Sequence, residues 1–385
     1  MDKIKNPYTD LPVTVRRVLC SVVSATAYLL EVLSAILLGG VLFGMGKKTD
    51  KKRSFYHRYI HIIYRFNTRF MPGVKYHIEN KSNETFRKGA IMICNHQSFL
   101  DSVCLLILSP KILIVTGDKV WQNRIIHKIL SFADFYPISR GIENSIPVFE
   151  EYIGKGYSIA IFPEGEQSQT CSILRFHRGA FYLAEQLKSD ILPVFIHGVG
   201  HVLPKGCHWI NNGAIFIEIG QRITPEDTQY GENYPARTKN IRHYYRSHYK
   251  TLCHRIETAH YFNNCIVSLY GHLGLSVQRK VSRLFNRHAG FSKWVDISYD
   301  EETLIILNDE YGAIGLLFAL VHPDKQIITT DNHRRLRALM HRCKSLPKNI
   351  EPLGETITDF SLLKSAKIFV FKPTLENALQ LTMNN

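Results

Sequence analysis

The chain has 385 residues, of which 45% are hydrophobic and 21% charged. This composition excludes a wholly disordered chain, and the length corresponds to two or three domains of roughly 100–200 residues each. The 48 Lys and Arg residues exceed the 33 Asp and Glu residues, so the net charge of +15 predicts an anionic partner. The eight cysteines include no Cys-x-x-Cys pair, which excludes a zinc ribbon or a disulfide scaffold and indicates a reduced, intracellular chain.

An apolar run occupies residues 18–46, with Glu31 as its single charged residue. As a helix rising about 1.5 Å per residue, it is long enough to cross a hydrocarbon core of roughly 30 Å. Basic residues flank both ends, and the denser cluster follows the run at residues 47–53. The sequence therefore predicts attachment to the inner (cytoplasmic) membrane with the rest of the chain facing the cytoplasm. A true span, an interfacial helix and a buried core helix are the alternatives.

Aromatic and basic residues alternate over residues 54–70. The spacing predicts an amphipathic helix that lies against anionic lipid headgroups or, alternatively, packs within a domain. Basic and aromatic residues also suit nucleic acid, but no zinc-finger, RNA-recognition or helix-turn-helix pattern accompanies them. We therefore expect membrane lipids and no nucleic acid as partners, and residues 1–53 as a membrane-anchoring region.

Strand-like and helix-like segments alternate through the central region. Strands are predicted at 90–95, 111–117, 133–141, 158–165, 191–200 and 214–223, and helices at 96–108, 121–133, 144–155 and 179–188. This alternation predicts an α/β fold with a mostly parallel sheet and helices on both faces. In such sheets the chemistry lies past the carboxyl ends of the strands, which is where this chain has its polar clusters.

The first cluster runs from Asn95 to Asp101 and contains His96. Five residues on a straight helix separate two side chains by roughly 140°, so His96 and Asp101 would not meet on one helical face. They can meet if His96 lies in the turn after the strand and Asp101 in the first turn of the helix. Asp101 could then accept the Nδ1 proton and leave Nε2 to act as a base.

Three further clusters follow other predicted strands. The second cluster is the segment 135–141, which carries Arg140 near its end. The third is residues 162–168, which read Phe-Pro-Glu-Gly-Glu-Gln-Ser and precede Arg175 and Arg178. The fourth is residues 191–197, an apolar predicted strand that contains Pro193. In order and spacing, the four clusters resemble the motif set of the glycerolipid acyltransferase family, the membrane-bound 1-acylglycerol-3-phosphate acyltransferases. The resemblance covers about residues 50–250, so we expect an acyltransferase domain at 54–262.

The resemblance implies that His96 is the general base and that Asp101 orients it. A lysolipid hydroxyl would attack the thioester of acyl-CoA or acyl carrier protein directly, without cofactor or metal. The residues that would bind substrate are Asn95, Arg140, Phe162, Pro163, Glu164, Gly165, Ser168 and Arg178. The activity implied is 1-acylglycerol-3-phosphate acylation in phospholipid biosynthesis.

One departure from the family leaves the acceptor open. Glu166 and Gln167 stand where the family usually has Thr-Arg. Either Arg175 or Arg178 replaces the missing charge, or Glu166 pairs with the ammonium of an amino-acid-headed or other non-phosphate lysolipid. A non-catalytic membrane scaffold derived from the family is the alternative from another class.

Residues 263–385 resemble the first half of a class I S-adenosylmethionine-dependent methyltransferase. A predicted strand is followed by Glu310, Gly312 and Gly315, a helix, a second strand and Asp331, which is a thinned nucleotide-binding pattern. The resemblance implies a truncated Rossmann-like domain with a vestigial nucleotide site. We expect it to dock a protein partner or form a dimer, with an active methyltransferase as the alternative.

Overall fold

The computed structural model describes residues 6–44, 49–117, 127, 130–137, 141–287, 292–307, 309–330, 333–353, 366–370 and 379–381. The chain forms two compact units, one of residues 14–249 and one of residues 1–13 with 250–385. The apolar N-terminal helix thus belongs to the same unit as the central sheet. The predicted division into 1–53, 54–262 and 263–385 remains a prediction, and the compact units group the residues differently.

A seven-stranded sheet forms the centre of the first unit. Its strands are β1 (Val74–Glu79), β2 (Ile91–Cys94), β3 (Ile112–Thr116), β4 (Tyr136–Pro137), β5 (Ser158–Ile161), β6 (Ile191–His197) and β7 (Gly213–Ile219). The order across the sheet is β1-β7-β6-β2-β5-β3-β4, and among these pairs only β6 and β7 run antiparallel. The prediction of an α/β fold with a mostly parallel sheet is confirmed; β1 is an additional strand.

The central strands consist of apolar runs because both of their faces are covered. Every residue of β2 and β6 is buried, as expected for strands in the middle of a parallel sheet. These two strands are adjacent, with Cys94 paired to Val194. Their carboxyl ends therefore deliver Asn95, His96 and His197 to one edge of the sheet.

Helices connect the strands of this unit. They are α3 (Leu100–Leu106), α4 (Ile142–Gly154), α5 (Gly179–Gln186), the short α6 (Val199–Val202) and α7 (Tyr234–Ile256), whose residues 234–249 belong to this unit. Most of the helix predicted at 121–133 lies outside the described residues, although residues 130–132 are helical. Residues 138–140, including Arg140, also lie outside them.

Two N-terminal helices, α1 (Val15–Gly44) and α2 (Asp50–Phe70), complete this unit. The Tyr56 hydroxyl on α2 donates to the Ala35 carbonyl on α1 at 3.1 Å. A Cβ at Gly39 would collide with the ring of Phe132, so only glycine allows this close approach. The opposite face of α1 exposes large apolar side chains, among them Val22, Leu30, Leu33, Leu37 and Val41. The helix is long and apolar enough to cross a membrane, which by itself is weak evidence of a span.

The second unit contains a five-stranded sheet with the order β10-β9-β8-β11-β12. The strands are β8 (Thr303–Leu307), β9 (Gln326–Thr329), β10 (Ile350–Pro352), β11 (Ala366–Val370) and β12 (Leu379–Leu381), and only β12 is antiparallel to its neighbour. The helices are α8 (Ala259–Leu269), α9 (Leu275–Arg287), α10 (Ser292–Val295), α11 (Ala313–Val321) and α12 (His333–Arg342). The predicted alternation of strands and helices is found; a Rossmann-like nucleotide-binding role remains a prediction.

Candidate active site

His96 and Asp101 lie together in the connection between β2 and α3. His96 follows the strand in the turn, and Asp101 is the second residue of α3, as the sequence required for the two to meet. The Nδ1 atom of His96 is 2.8 Å from Oδ2 of Asp101. Nε2 of His96 forms no hydrogen bond within the described part of the chain, and the side chain is 20% exposed. The histidine is therefore oriented by the carboxylate and open at its other nitrogen.

The Asp101 carboxylate is held by its own loop. It is completely buried, and its Oδ2 also accepts the backbone N–H groups of Gln97 at 2.7 Å and Ser98 at 2.8 Å. Three donors thus converge on one oxygen. This arrangement compensates for burial of the charge and fixes the position of the acceptor for the imidazole.

Phe162, at the exit of β5, packs on the face of the His96 ring. The two ring centroids are 4.2 Å apart and the planes differ by 19°. The stacking leaves the edge of the imidazole accessible while it restricts rotation of the ring. A residue of the third sequence cluster thereby positions a residue of the first.

The Glu164 side chain connects the turn after β2 to the loop after β5 by accepting a backbone N–H from each. Its Oε1 accepts the N–H of His96 at 2.9 Å, and its Oε2 accepts the N–H of Leu174 at 2.6 Å. Burial raises the pKa of Glu164 to about 7, although these two hydrogen bonds act in the opposite direction. The backbone N–H of Ser168 also donates to the carbonyl of His96 at 2.7 Å. Glu164 and Ser168 are buried and support the His96 turn.

Gly165 is required by the turn in which it lies. Its φ of +72° is in the left-handed region, and a Cβ there would stand 3.1 Å from the ring of His177. The next residue, Glu166, points into solvent with 72% of its side chain exposed. Nζ of Lys205 lies 3.8 Å from Oε2 of Glu166 and donates to the Gln167 carbonyl at 2.9 Å. Glu166, which stands where the family usually has a threonine, therefore already has a cationic neighbour.

Asn95 is fully buried, and its side-chain amide joins the end of β2 to β6. Its Nδ2 donates to the Ile196 carbonyl at 2.8 Å, and its Oδ1 accepts the Ile196 N–H at 2.9 Å. The Tyr245 hydroxyl accepts the N–H of Asn95 at 2.9 Å and is 2.6 Å from the Val194 carbonyl. These contacts support the turn that carries His96; a contact between Asn95 and substrate remains a prediction.

An apolar cavity of about 530 Å³ opens beside His96. His96, Gly165 and Gln167 line it together with residues of α1, α2, α3, β3, β5 and the segment 130–135. Apolar and aromatic lining residues from the three helices, and from Phe99 just before α3, are Ala25, Tyr28, Leu29, Val32, Ile60, Tyr64, Phe99, Val103 and Leu106. The site thus combines one open imidazole nitrogen with a mostly apolar cavity.

A second cavity of about 120 Å³ shares Phe162 and Gly165 with the first. Pro163, Gly141 and Ser145 also line it. Gly141 directly follows Arg140, which lies outside the described residues. Arg178 is exposed at the start of α5, and Arg175 is exposed in the preceding loop. Of the predicted substrate-binding residues, Phe162, Pro163 and Gly165 line a cavity.

Residues of α7 that sequence reasoning missed support the site. Besides Tyr245, Tyr249 accepts the Gln97 side-chain amide at 2.7 Å, and Nε of Arg242 donates to the Leu174 carbonyl at 3.3 Å. The signal in the sequence was a run from Tyr234 to Ile256 that is rich in Tyr, His and Arg and contains no Asp or Glu.

In the second unit, packing alone explains the two glycines of the predicted nucleotide site, because neither position has room for a side chain. A Cβ at Gly312 would stand 2.7 Å from Leu336, and one at Gly315 would stand 2.9 Å from Thr329. The buried Asp309 carboxylate accepts the N–H of Gly315 at 2.7 Å and so occupies the N-terminus of α11. Glu310 lies 3.5 Å from Arg335, and Asp331 lies outside the described residues.

The fold and these contacts define an α/β domain with an oriented histidine beside an apolar cavity. Residues 73–197 match the family model described as Acyltransferase. The fold resembles the crystal structure of the 1-acyl-sn-glycerophosphate acyltransferase PlsC from Thermotoga maritima, with a TM-score of 0.53, 17% identity and coverage of 62% of this chain and 98% of that one. At this identity the likeness concerns the fold.

Sequence relatives are named as acyltransferases as well. The chloroplastic 1-acyl-sn-glycerol-3-phosphate acyltransferase LPAT1 of Arabidopsis thaliana is 28% identical over 180 residues, covering 45% of this chain and 50% of the relative. The 1-acyl-sn-glycerol-3-phosphate acyltransferase of Saccharomyces cerevisiae is 28% identical over 149 residues, covering 37% and 49%. The chain thus spans about half the length of these curated relatives. Residues 73–197 thus match an acyltransferase domain, and the relatives support an acyltransferase enzyme.

Proposed function

We propose that the protein transfers a long-chain acyl group from a thioester to the free hydroxyl of a lysolipid, namely 1-acylglycerol-3-phosphate. The observation that carries the proposal is the open Nε2 atom of His96, fixed by Asp101 and placed at an apolar cavity of about 530 Å³. A base next to an apolar cavity suits a reaction in which a hydroxyl must lose its proton beside a lipid chain.

The proposed reaction uses the dyad as follows. Nε2 of His96 takes the proton as the acceptor oxygen attacks the thioester carbonyl, and Asp101 stabilises the imidazolium that forms. The tetrahedral intermediate collapses, the C–S bond breaks, and the thiolate leaves with the proton from His96. Base catalysis of this kind contributes on the order of 10²–10⁴ in rate. The scheme uses no covalent enzyme intermediate, cofactor or metal.

The cavity is proposed to hold the acyl chain. Its walls are formed mainly by side chains such as Leu29, Val32 and Ile60, and each methylene removed from water contributes about 0.8 kcal/mol. The thioester carbon would then lie at His96, where the lining becomes more polar. Chain length would be selected by the depth of this cavity.

For the acceptor we propose a phosphate headgroup. Lys205 lies beside the Glu166–Gln167 segment, and Arg175 and Arg178 are exposed nearby in the sequence. Together they supply the positive charge that the segment lacks. Glu166 is 72% exposed and has Lys205 at 3.8 Å as a cationic neighbour, and an exposed pair of this kind is weak.

We also propose that α1 and α2 attach the protein to a membrane surface, with the acyltransferase domain on the cytoplasmic side. One face of α1 packs on the domain and buries Ser21, Ser24 and Glu31, whereas the other exposes leucines and valines. A helix covered by protein on its polar face and apolar on its free face suits insertion into one leaflet.

The test is acyl transfer by the detergent-purified full chain, followed by mass spectrometry. Acyl-CoA and acyl carrier protein are each offered with 1-acylglycerol-3-phosphate, lysophosphatidylethanolamine and lyso-amino-acid lipids, and His96→Ala is run in parallel. We expect His96-dependent product with 1-acylglycerol-3-phosphate. Product only with amino-headed acceptors would contradict the phosphate assignment. An active His96→Ala protein would overturn the mechanism, and absence of product with every acceptor would favour a scaffold.

A further inference from the structure

One face of α7 carries an uninterrupted series of basic side chains. Lys239, Arg242, His243 and Arg246 recur at spacings of three and four residues, so they lie on one side of the helix. Lys239, His243 and Arg246 are exposed and Arg242 is half-buried. The 23-residue helix contains no acidic residue that could neutralise this face. We call Lys239, Arg242, His243 and Arg246 the α7 basic face.

The α7 basic face is tied to the loop that supports His96. Nε of Arg242 donates to the Leu174 carbonyl, and the N–H of Leu174 donates to Glu164, which in turn accepts the N–H of His96. Arg175, next along that loop, is exposed. The chain of contacts places the basic face one loop away from the proposed base.

The cationic side chains of this face have no salt-bridge partner in the part of the chain that the structure describes. Lys239, Arg242, Arg246 and Arg175 form no ion pair with the described residues of the chain. Burial lowers the pKa of Arg242, and the charges of Arg246 and Arg175 lower it further, while Glu164 alone acts in the opposite direction. Like charges held together without a counter-charge favour an anionic partner.

We propose that the α7 basic face docks the acyl donor, and that this donor is an acidic acyl carrier protein and not free CoA. The inference rests on the proposed acyl transfer and names its donor. The face extends over about two turns of one exposed helix and offers its charges in a row. Such a row complements an acidic helix of a protein partner, whereas a small phosphate is held best where several donors converge on it. The flexible phosphopantetheine arm of a carrier would bring the thioester from this face to His96.

The test compares three donors that carry the same acyl chain: acyl carrier protein, acyl-CoA and the uncharged acyl-pantetheine. Lys239→Glu/Arg246→Glu reverses two exposed charges and leaves Arg242 and its contact with Leu174 in place. Arg279→Glu/Lys280→Glu, on the exposed basic side of α9 in the second unit, is the matched control. All are measured in the full chain at low and at high ionic strength.

We expect the ratio of kcat/KM for acyl carrier protein to that for acyl-pantetheine to fall about tenfold in the α7 variant, mainly through KM. The control variant should leave this ratio unchanged, and high salt should reduce the difference because exposed charges are screened. An unchanged ratio in the α7 variant would overturn the proposal. So would an equal fall with all three donors, which would indicate a structural or membrane effect, or a fall confined to acyl-CoA.

Failure of this inference is distinguishable from failure of the proposed function. If the wild-type chain transfers acyl groups from acyl-pantetheine but the α7 variant leaves the donor ratio unchanged, only the docking surface is wrong. If the wild-type chain transfers from none of the three donors, the proposed acyl transfer itself fails.

Discussion

Glu164 joins the backbone of His96 to that of Leu174 through its two carboxylate oxygens, at 2.9 and 2.6 Å. A buried side chain thereby holds the turn after β2 against the loop after β5. The turn carries the proposed base, and the loop contains Arg175 and contacts α7. The geometry of the site consequently depends on a group that itself titrates near neutral pH.

This titration makes a testable contribution to stability. The pKa of Glu164 is raised from 4.5 to about 7, so the folded state holds the proton more tightly than the unfolded state. The contribution is fully present below about pH 4.5 and is lost as the pH rises through 7. Between pH 5 and pH 8 the free energy of unfolding of wild type should fall relative to that of Glu164→Gln by on the order of 2–3 kcal/mol.

Urea unfolding of both proteins at several pH values measures this difference. Glu143→Gln, at an exposed position of α4, serves as the control and should follow wild type at each pH. A constant gap between wild type and Glu164→Gln from pH 5 to pH 8 would contradict the assignment.

Asp101→Asn should lower kcat by on the order of 10²-fold or more. An amide oxygen can replace Oδ2 toward His96, but the neutral side chain no longer stabilises the imidazolium. The amide nitrogen would also occupy the position of Oδ1, which is buried without a hydrogen-bond partner, and this should reduce stability by about 1–3 kcal/mol. Steady-state kinetics and urea unfolding separate the two effects, and a variant with wild-type kcat would show that the Asp101 charge is dispensable.

Tyr245→Phe tests whether α7 positions the active-site turn. Its hydroxyl contacts Asn95 and the Val194 carbonyl inside the core, so its removal should cost about 1–3 kcal/mol of stability. We also expect a lower kcat with unchanged preference among acyl chains, because the cavity walls are intact. Tyr244→Phe, one residue away and only half-buried, is the control; equal effects of the two substitutions would argue against a specific role for Tyr245.

The sequence could predict those features of the site that are formed by residues close together in the chain. The apolar strand that ends at Cys94 and the helix that begins at Leu100 leave a short turn, which forces His96 and Asp101 together. The apolar runs at residues 158–161 and 191–197 likewise form strands, one on each side of β2, and they are apolar because both faces of a parallel sheet are covered.

The remaining features depend on contacts between distant parts of the chain. Tyr245 reaches Asn95 across 150 positions, and Lys205 reaches Glu166 from the segment after β6. The cavity beside His96 is lined by residues of three helices and two strands that no local pattern relates to one another. Spacing along a sequence carries no information about such contacts, so neither the hydrogen bonds of Asn95 nor the cationic neighbour of Glu166 could be predicted.

Filling the cavity should change acyl-chain preference. Ala133 is buried in the cavity lining, and Ala133→Leu would reduce its depth. We expect kcat/KM for long acyl chains to fall about tenfold while that for short chains is largely retained, since each excluded methylene loses about 0.8 kcal/mol. Competition between long and short thioesters gives this ratio directly. Ala338→Leu, at an exposed position of α12, should not alter it; an unchanged ratio in Ala133→Leu would place the acyl chain elsewhere.

Membrane attachment should depend on the free face of α1. Leu30 and Leu37 are 61% and 71% exposed there, so Leu30→Glu/Leu37→Glu would place two charges where lipid is expected. Burying a carboxylate in hydrocarbon is strongly unfavourable, and we expect binding to anionic lipid vesicles in a flotation assay to fall about tenfold or more. Leu275→Glu, at a position 67% exposed on α9, is the control for added charge at an exposed leucine. Retained flotation of the double variant, with folding confirmed by circular dichroism, would show that another surface binds the membrane.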